Sequence, residues 1–249
     1  IGRTDLISHE INTRDAQPIR QTLRRHPQTH LPIIDEFVDD LLEKDLIEPC
    51  RSPWASNVVL ARRKSTYENK VLDKSCFRFC VDLRACNNVI IPDSFHPPRV
   101  ETCLESLGGA KYFCVLDSMS AYHMIPLADE ESKNNTAFIT RRGLYRYKFL
   151  PFGEKNACAT YSRLMCLVLA GLPYDVALSF LDDLIVMAPT FDEACDRLRL
   201  VFDRIVSAGI KFKVSKSKIL QRSVTFLSFR ISEDGILPDE DKVKDIIRW

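Results

Sequence analysis

Two adjacent carboxylates, Asp182 and Asp183, lie inside an otherwise apolar run and constrain the fold of this 249-residue chain more than any other feature. Val176-Ala177-Leu178-Ser179-Phe180 precedes them and Leu184-Ile185-Val186-Met187-Ala188 follows. Two short apolar runs around a polar break predict a pair of strands joined by a tight turn. Neighbouring acids repel each other and resist desolvation, so packing alone gives little reason to keep them. A hard divalent cation supplies one, because such ions take oxygen ligands. A third acid, Asp117, ends another strand-like run, Tyr112-Phe113-Cys114-Val115-Leu116. Three strand-end carboxylates can hold two metal ions about 3.5–4 Å apart, an arrangement suited to in-line phosphoryl transfer. Taken singly, Asp117 reads equally as a turn acid and Asp182-Asp183 as a polar hairpin tip.

The rest of the layout follows from periodicity. Residues 1–30 are polar and extended, with Pro18 and Pro27. Pro32 opens an amphipathic helix with the stripe Ile33, Ile34, Phe37, Val38, Leu41 and Leu42, and Pro49 ends it. Strands are predicted at 57–61 and 77–83, around a polar stretch at 62–75. A helix at 99–107 ends at Gly108-Gly109, and 137–150 forms a hairpin turning at Arg141-Arg142-Gly143. Helices follow at 156–170 and 191–208, the latter with Gly209 as its terminal glycine. Strands at 210–214 and 224–231 complete the layout. From Tyr112 onward the order is strand, helix, strand pair, helix, strand, the split β-α-β arrangement of ferredoxin-like folds. It makes the Asp117 strand and the Asp182-Asp183 hairpin neighbours. RNA-binding modules share this topology, so it leaves function open. Those modules carry aromatics on the sheet face, where this chain has acids that would repel phosphate without a metal between them.

Composition narrows the class. With 45% hydrophobic residues, the chain can build one large domain or two lobes. No apolar stretch approaches the roughly 20 residues of a membrane span, and the start of the sequence has no apolar signal core. Nine cysteines without a C-x-x-C pair read as buried free thiols in a reducing compartment. Net charge is only +1, but basic residues cluster at Arg20/Arg24/Arg25, at Arg62/Arg63/Lys64 and at Lys211/Lys213/Lys216/Lys218/Arg222. One such cluster is an ordinary solvated face; several together fit a surface that tracks a phosphate backbone.

Seven motifs then occur in register. Ser52-Pro53-Trp54-Ala55-Ser56, Arg78-Phe79-Cys80-Val81-Asp82-Leu83-Arg84 and Leu107-Gly108-Gly109-Ala110-Lys111-Tyr112-Phe113 come first. Asp117-Ser118-Met119-Ser120-Ala121-Tyr122-His123 and Pro151-Phe152-Gly153 with Asn156-Ala157 follow. Ala208-Gly209-Ile210-Lys211 with Lys216, and then Phe226-Leu227, complete the series. Over nearly its whole length the chain resembles the reverse transcriptase of gypsy-type long-terminal-repeat retrotransposons. The resemblance implies an α+β fold: the fingers and palm of a right-hand polymerase, the palm being a ferredoxin-like split β-α-β sheet, with the thumb largely absent. It divides the chain into an N-terminal extension and first helix (1–46), fingers (47–91 and 125–150), palm (92–124 and 151–235) and the start of a truncated thumb or connection (236–249).

The resemblance further implies an RNA-directed, and DNA-directed, DNA polymerase that adds deoxynucleoside triphosphates to a primer on an RNA or DNA template. Asp117, Asp182 and Asp183 would hold two Mg²⁺ ions, with Mn²⁺ as a substitute. Tyr122 would lie under the sugar and collide with a ribose 2′-hydroxyl. Ala121 would let its backbone approach the triphosphate, Arg78 and Arg63 would fold over it, and Phe152 and Gly153 would line the pocket for the new base pair. Lys216 matches the lysine that protonates departing pyrophosphate, and Phe226, Leu227 and Ser228 match the segment that steadies the primer. Ribonuclease H, integrase and protease modules are expected in a parent polyprotein. No membrane partner is expected; the compartment is the cytoplasm, in a virus-like particle, or else the nucleus. The sequence departs from the family pattern in a longer loop at 65–76, in Glu154-Lys155, in Cys158 where proline is usual, in Ser228-Phe229 and in Phe180. These departures keep a second reading open, a catalytically inactive nucleic-acid-binding module. A third, a palm-fold nucleotidyl cyclase, would lack Arg78, Tyr122 and Pro151-Phe152-Gly153.

Overall fold

The computed structural model describes residues 2–66, 72–239 and 244. In chain order, α1 (Leu31–Glu43) leads to β1 (Ile47–Pro49), β2 (Ser56–Arg62), β3 (Phe77–Val81), α2 (Arg84–Val89) and α3 (Val100–Glu105). Next come β4 (Tyr112–Asp117), α4 (Glu130–Asn135), β5 (Phe138–Thr140), β6 (Gly143–Tyr147) and α5 (Ala157–Val168). The chain continues through β7 (Ala177–Phe180), β8 (Asp183–Ala188), α6 (Phe191–Ser207), β9 (Lys218–Gln221), β10 (Ser223–Phe226), β11 (Phe229–Ser232) and β12 (Gly235–Pro238).

The sheet that carries the acids has the order β7-β8-β4-β9, the order that a split β-α-β fold requires. Its strands β4, β7 and β8 are packed on both faces, as their apolar runs demand, while the edge strand β9 is largely exposed. The two faces alternate along each strand. Cys114, Leu116, Leu184 and Val186 point to one side, where α5 supplies Tyr161, Leu164 and Met165 and α6 supplies Val201 and Ile205. Phe113, Ile185 and Met187 point to the other, against Cys103, Leu107, Val224, Phe226 and Ile231. A second sheet, β1-β6-β5-β2-β3, is covered by α1 through Ile34 and Val38, as the stripe after Pro32 predicts.

Three expectations change. The run at 210–214 makes only one isolated bridge, Ser118 to Phe212; the edge strand is β9, reached through a 3-10 turn at Val214–Lys216. Met119 N–H donates to the Lys211 carbonyl (3.0 Å) and Lys213 N–H to that of Asp117 (2.9 Å), so the run grips the end of β4 and then turns away. The run at 224–231 is two strands, β10 and β11, because Leu227 and Ser228 both adopt left-handed backbone (φ 52° and 66°) and reverse the chain. Among the described residues the cysteines form no disulfide, as expected, but they are not all buried: Cys80, Cys158 and Cys166 are exposed. The long loop expected at 65–76 lies partly, and the 236–249 segment largely, outside the described residues. Among the described residues no helix is long and apolar enough to cross a membrane.

The polar N-terminal stretch runs as an extended strap that packs Ile7 on one core and Ile11 and Ile19 on the other. Thr4 N–H donates to the Met124 carbonyl and His9 N–H to that of Pro126, both at 2.9 Å; further on, Gln21 N–H donates to Ala55 (2.9 Å). His9 is buried against Glu154 (Nε2 to Oε2, 3.2 Å) and Thr160 (Nδ1 to Oγ1, 2.8 Å). This one histidine ties the strap to the start of α5 and to the residue after Phe152-Gly153.

Candidate active site

β4 and β8 pair antiparallel from Tyr112 opposite Ala188 to Asp117 opposite Asp183. The register therefore places two of the three acids face to face at one end of the sheet. Asp182 occupies the two-residue turn between β7 and β8, after Leu181, whose left-handed backbone (φ 53°) makes the reversal possible. Ser118 N–H reaches the Asp182 carbonyl at 3.4 Å, fastening the turn to the end of β4.

The electrostatics record the crowding. Asp183 is held above the ordinary carboxylate range, first by burial and then by the charges of Asp182 and Asp117, with Lys216 opposing. Lys216 Nζ lies 3.3 Å from Asp117 Oδ2. Among the described residues no three acidic, histidine or cysteine side chains form a ready metal cage. The acids are gathered by the backbone, while the Asp117 carboxylate faces Lys216. The donor chemistry still fits a hard divalent cation: an all-oxygen set whose mutual repulsion a dication would remove.

Tyr122 lies in the 3-10 turn Ala121–Met124, entered through Ser120 in left-handed backbone (φ 57°). Its ring meets Phe152 and Tyr161 edge-on, with centroids 5.1 and 6.0 Å apart. Its hydroxyl lies 3.1 Å from Cys158 Sγ. Burial, followed by the Cys158 contact, raises its pKa. Tyr161 on α5 shares a short hydrogen bond with Ser118. Ala121 is buried below this group, while Phe152 is half exposed above it, 52% accessible. His123 stacks on Tyr147 and meets Phe152 edge-on, and burial lowers its pKa to about 4. Gly153 takes φ +86°, and its carbonyl accepts from Asn87 Nδ2 at 2.7 Å.

The other expected residues lie apart from this group. Arg78 pairs with Ala61 across β2–β3 and is exposed; Arg63 Nε donates to the Phe77 carbonyl at 3.2 Å. Neither ion-pairs with the acids. Phe226 is buried in the core under the sheet, Leu227 is partly buried and Ser228 is exposed at the hairpin turn. Phe226 therefore anchors the turn from the core side. Sequence reasoning missed Asn87, His9 and the partnership of Cys158 with Tyr122. Cys158 and Glu154 were visible only as departures from the family pattern, and nothing in the sequence pairs them with their contacts.

The fold is that of polymerase fingers and palm, and the chain belongs to the reverse transcriptase (RNA-dependent DNA polymerase) family, whose sequence model matches residues 64–231. It is 33% identical over 248 residues to the retrovirus-related Pol polyprotein from transposon 297 of Drosophila melanogaster, covering 99% of this chain and 23% of the relative. The Pol polyprotein from transposon gypsy of the same organism is 30% identical over 244 residues, covering 96% of this chain and 23% of the relative. The chain thus spans about a quarter of each of these two relatives. Among solved structures, the foamy viral protease-reverse transcriptase in complex with RNA/DNA hybrid shares the fold with a TM-score of 0.85 at 24% identity, covering 99% of this chain and 32% of that one.

Proposed function

We propose that this chain is the DNA-polymerising part of a retrotransposon Pol polyprotein, extending a primer with deoxynucleoside triphosphates on an RNA or DNA template. The observation that carries the reading is the Asp117–Asp183 register with Asp182 on the adjoining turn, next to the Tyr122–Phe152 aromatic wall. Asp117, Asp182 and Asp183 would hold the divalent cations, Mg²⁺ or in its place Mn²⁺. Once bound, the ions supply a lowered pKa at the primer hydroxyl and charge neutralisation at the triphosphate.

The chain's own groups set position and selection. Tyr122 closes the sugar side of the pocket, and Phe152 and Gly153 receive the new base pair. Ala121, buried below, lets the backbone come close to the triphosphate. Lys216 lies beside Asp117, where a proton donor for the leaving pyrophosphate would be needed. Arg78, exposed on β3, and Arg63 would reach the triphosphate by movement of that strand pair. The Leu227–Ser228 turn would meet the primer, with Phe226 holding it from below. Ribonuclease H, integrase and protease modules would accompany it in the polyprotein, in a cytoplasmic particle.

Primer extension on poly(rA)·oligo(dT) with Mg²⁺ or Mn²⁺ tests this reading. Incorporation should fall by at least about a hundredfold in Asp182→Asn, the scale of losing several kcal/mol of charge stabilisation. Template binding without incorporation by the unaltered protein would instead establish the inactive nucleic-acid-binding module.

A further inference from the structure

Cys158 is the first-turn residue of α5 that breaks the family's proline pattern, and its thiol meets the Tyr122 hydroxyl at 3.1 Å. Tyr122 packs against the main core. Phe152 and Tyr161 meet its ring edge-on, and among the described residues Cys158 holds its polar end by a hydrogen bond. The ring contacts set the plane, and the one from Phe152 comes from a side chain that is itself half exposed. A proline at 158 would have no side-chain donor or acceptor for that hydroxyl. Tyr161, one helical turn beyond Cys158, is bonded to Ser118 beside the acids, so α5 fixes both the acid end and the tyrosine end of the pocket.

We infer that Cys158 is a positioning residue for sugar discrimination: its thiol holds the Tyr122 ring where a ribose 2′-hydroxyl would strike it. This rests on the polymerase reading above. The thiol does not touch the nucleotide; it acts by limiting how far the ring can retreat. A single neutral hydrogen bond of this kind corresponds to about a three- to tenfold effect.

The test compares kcat/KM for a deoxynucleotide and its ribonucleotide in the unaltered protein, Cys158→Ala, Cys158→Ser, Tyr122→Phe and the Cys158→Ala/Tyr122→Phe double variant. Cys158→Ala should lower the discrimination ratio about three- to tenfold, chiefly through a lower ribonucleotide KM. Cys158→Ser, which restores a hydroxyl partner, should bring the ratio back. Tyr122→Phe should lower it as Cys158→Ala does, and the double variant should show no added loss, the signature of one shared contact. A ratio in Cys158→Ala that is unchanged or increased, or additive losses in the double variant, overturns the inference.

A second readout needs no turnover. Maleimide labelling of Cys158, followed by peptide mass spectrometry with exposed Cys80 and Cys166 as internal references, should quicken in Tyr122→Phe. Equal labelling rates would remove the contact itself. Failure of the unaltered protein to incorporate any nucleotide would instead strike the polymerase reading, leaving the labelling result to judge the contact.

Discussion

Asp117 and Asp183 stand directly opposite each other at the ends of β4 and β8, the last pair in a six-residue antiparallel register. The pairs Phe113–Met187, Cys114–Val186 and Leu116–Leu184 before them are fully buried, so the core locks this juxtaposition and two like charges must share one sheet end. The protein bears the cost of that repulsion locally, and several measurable consequences follow from it.

Stability should depend on pH through Asp183. Its folded carboxyl titrates above the ordinary range because of burial and the neighbouring Asp182 and Asp117. The folded state therefore keeps this proton to a higher pH than the unfolded chain does. The contribution is fully present below the unfolded value of roughly 3.9 and is lost as pH rises through the folded value. Asp183→Asn should accordingly raise Tm at pH 7, and the gain should shrink as the pH is lowered toward 4. Equal Tm differences at both pH values would show that Asp183 carries no such burden.

Mg²⁺ should stabilise the unaltered protein in the absence of any nucleotide. Binding to the folded state alone adds about 2.7 kcal/mol at a hundredfold excess over Kd. Thermal scans in EDTA and in Mg²⁺ should separate for the unaltered protein and nearly coincide for Asp117→Asn. A shift that persists in Asp117→Asn would place the ion elsewhere.

Lys216 offsets the acid charge through its contact with Asp117, an exposed pair at 58% and 33% side-chain accessibility. Such pairs contribute about 0–1 kcal/mol. Lys216→Ala should lower Tm by a small amount in EDTA, and that loss should diminish when Mg²⁺ is present to neutralise the acids. A loss that is the same in both buffers would separate Lys216 from the cation site.

The His9–Glu154 pair is buried, with 2% and 1% side-chain accessibility. Removing one partner of a buried pair typically costs about 3–5 kcal/mol, whereas replacing both with apolar groups is often neutral. Urea unfolding of Glu154→Ala should show a loss of this order, and His9→Leu/Glu154→Leu should recover most of it. If the double replacement is as unstable as the single one, the pair is a true source of stability.

Gly209 lies against the strap: an added Cβ would come 2.1 Å from the Arg3 carbonyl, at a φ of +68° that side chains rarely adopt. Gly209→Ala should detach the first residues and make Arg3 a site of limited proteolysis, while lowering Tm. Protection of Arg3 in that variant would show that the strap accommodates the methyl group.

Much of this architecture was legible in the chain itself, because binary patterning and element order are local properties. The helix after Pro32, the β7–β8 turn around Asp182, and the sheet order that brings Asp117 to Asp183 all follow from alternating apolar runs and their sequence of types. What the sequence misplaced turned on backbone signs that side-chain pattern does not encode. The run at 224–231 reads as one strand, yet Leu227 and Ser228 turn left-handed and make it two, which buries Phe226. The contacts that tune the site are of another kind. His9 reaches Glu154, Asn87 reaches Gly153 and Cys158 reaches Tyr122 across long sequence separations. The residue types alone marked Asp117, Asp182, Asp183, Tyr122 and Phe152 as candidates, because their chemistry is written in each side chain. Which neighbour turns each one, and how far it can move, was decided only when packing brought distant segments into contact.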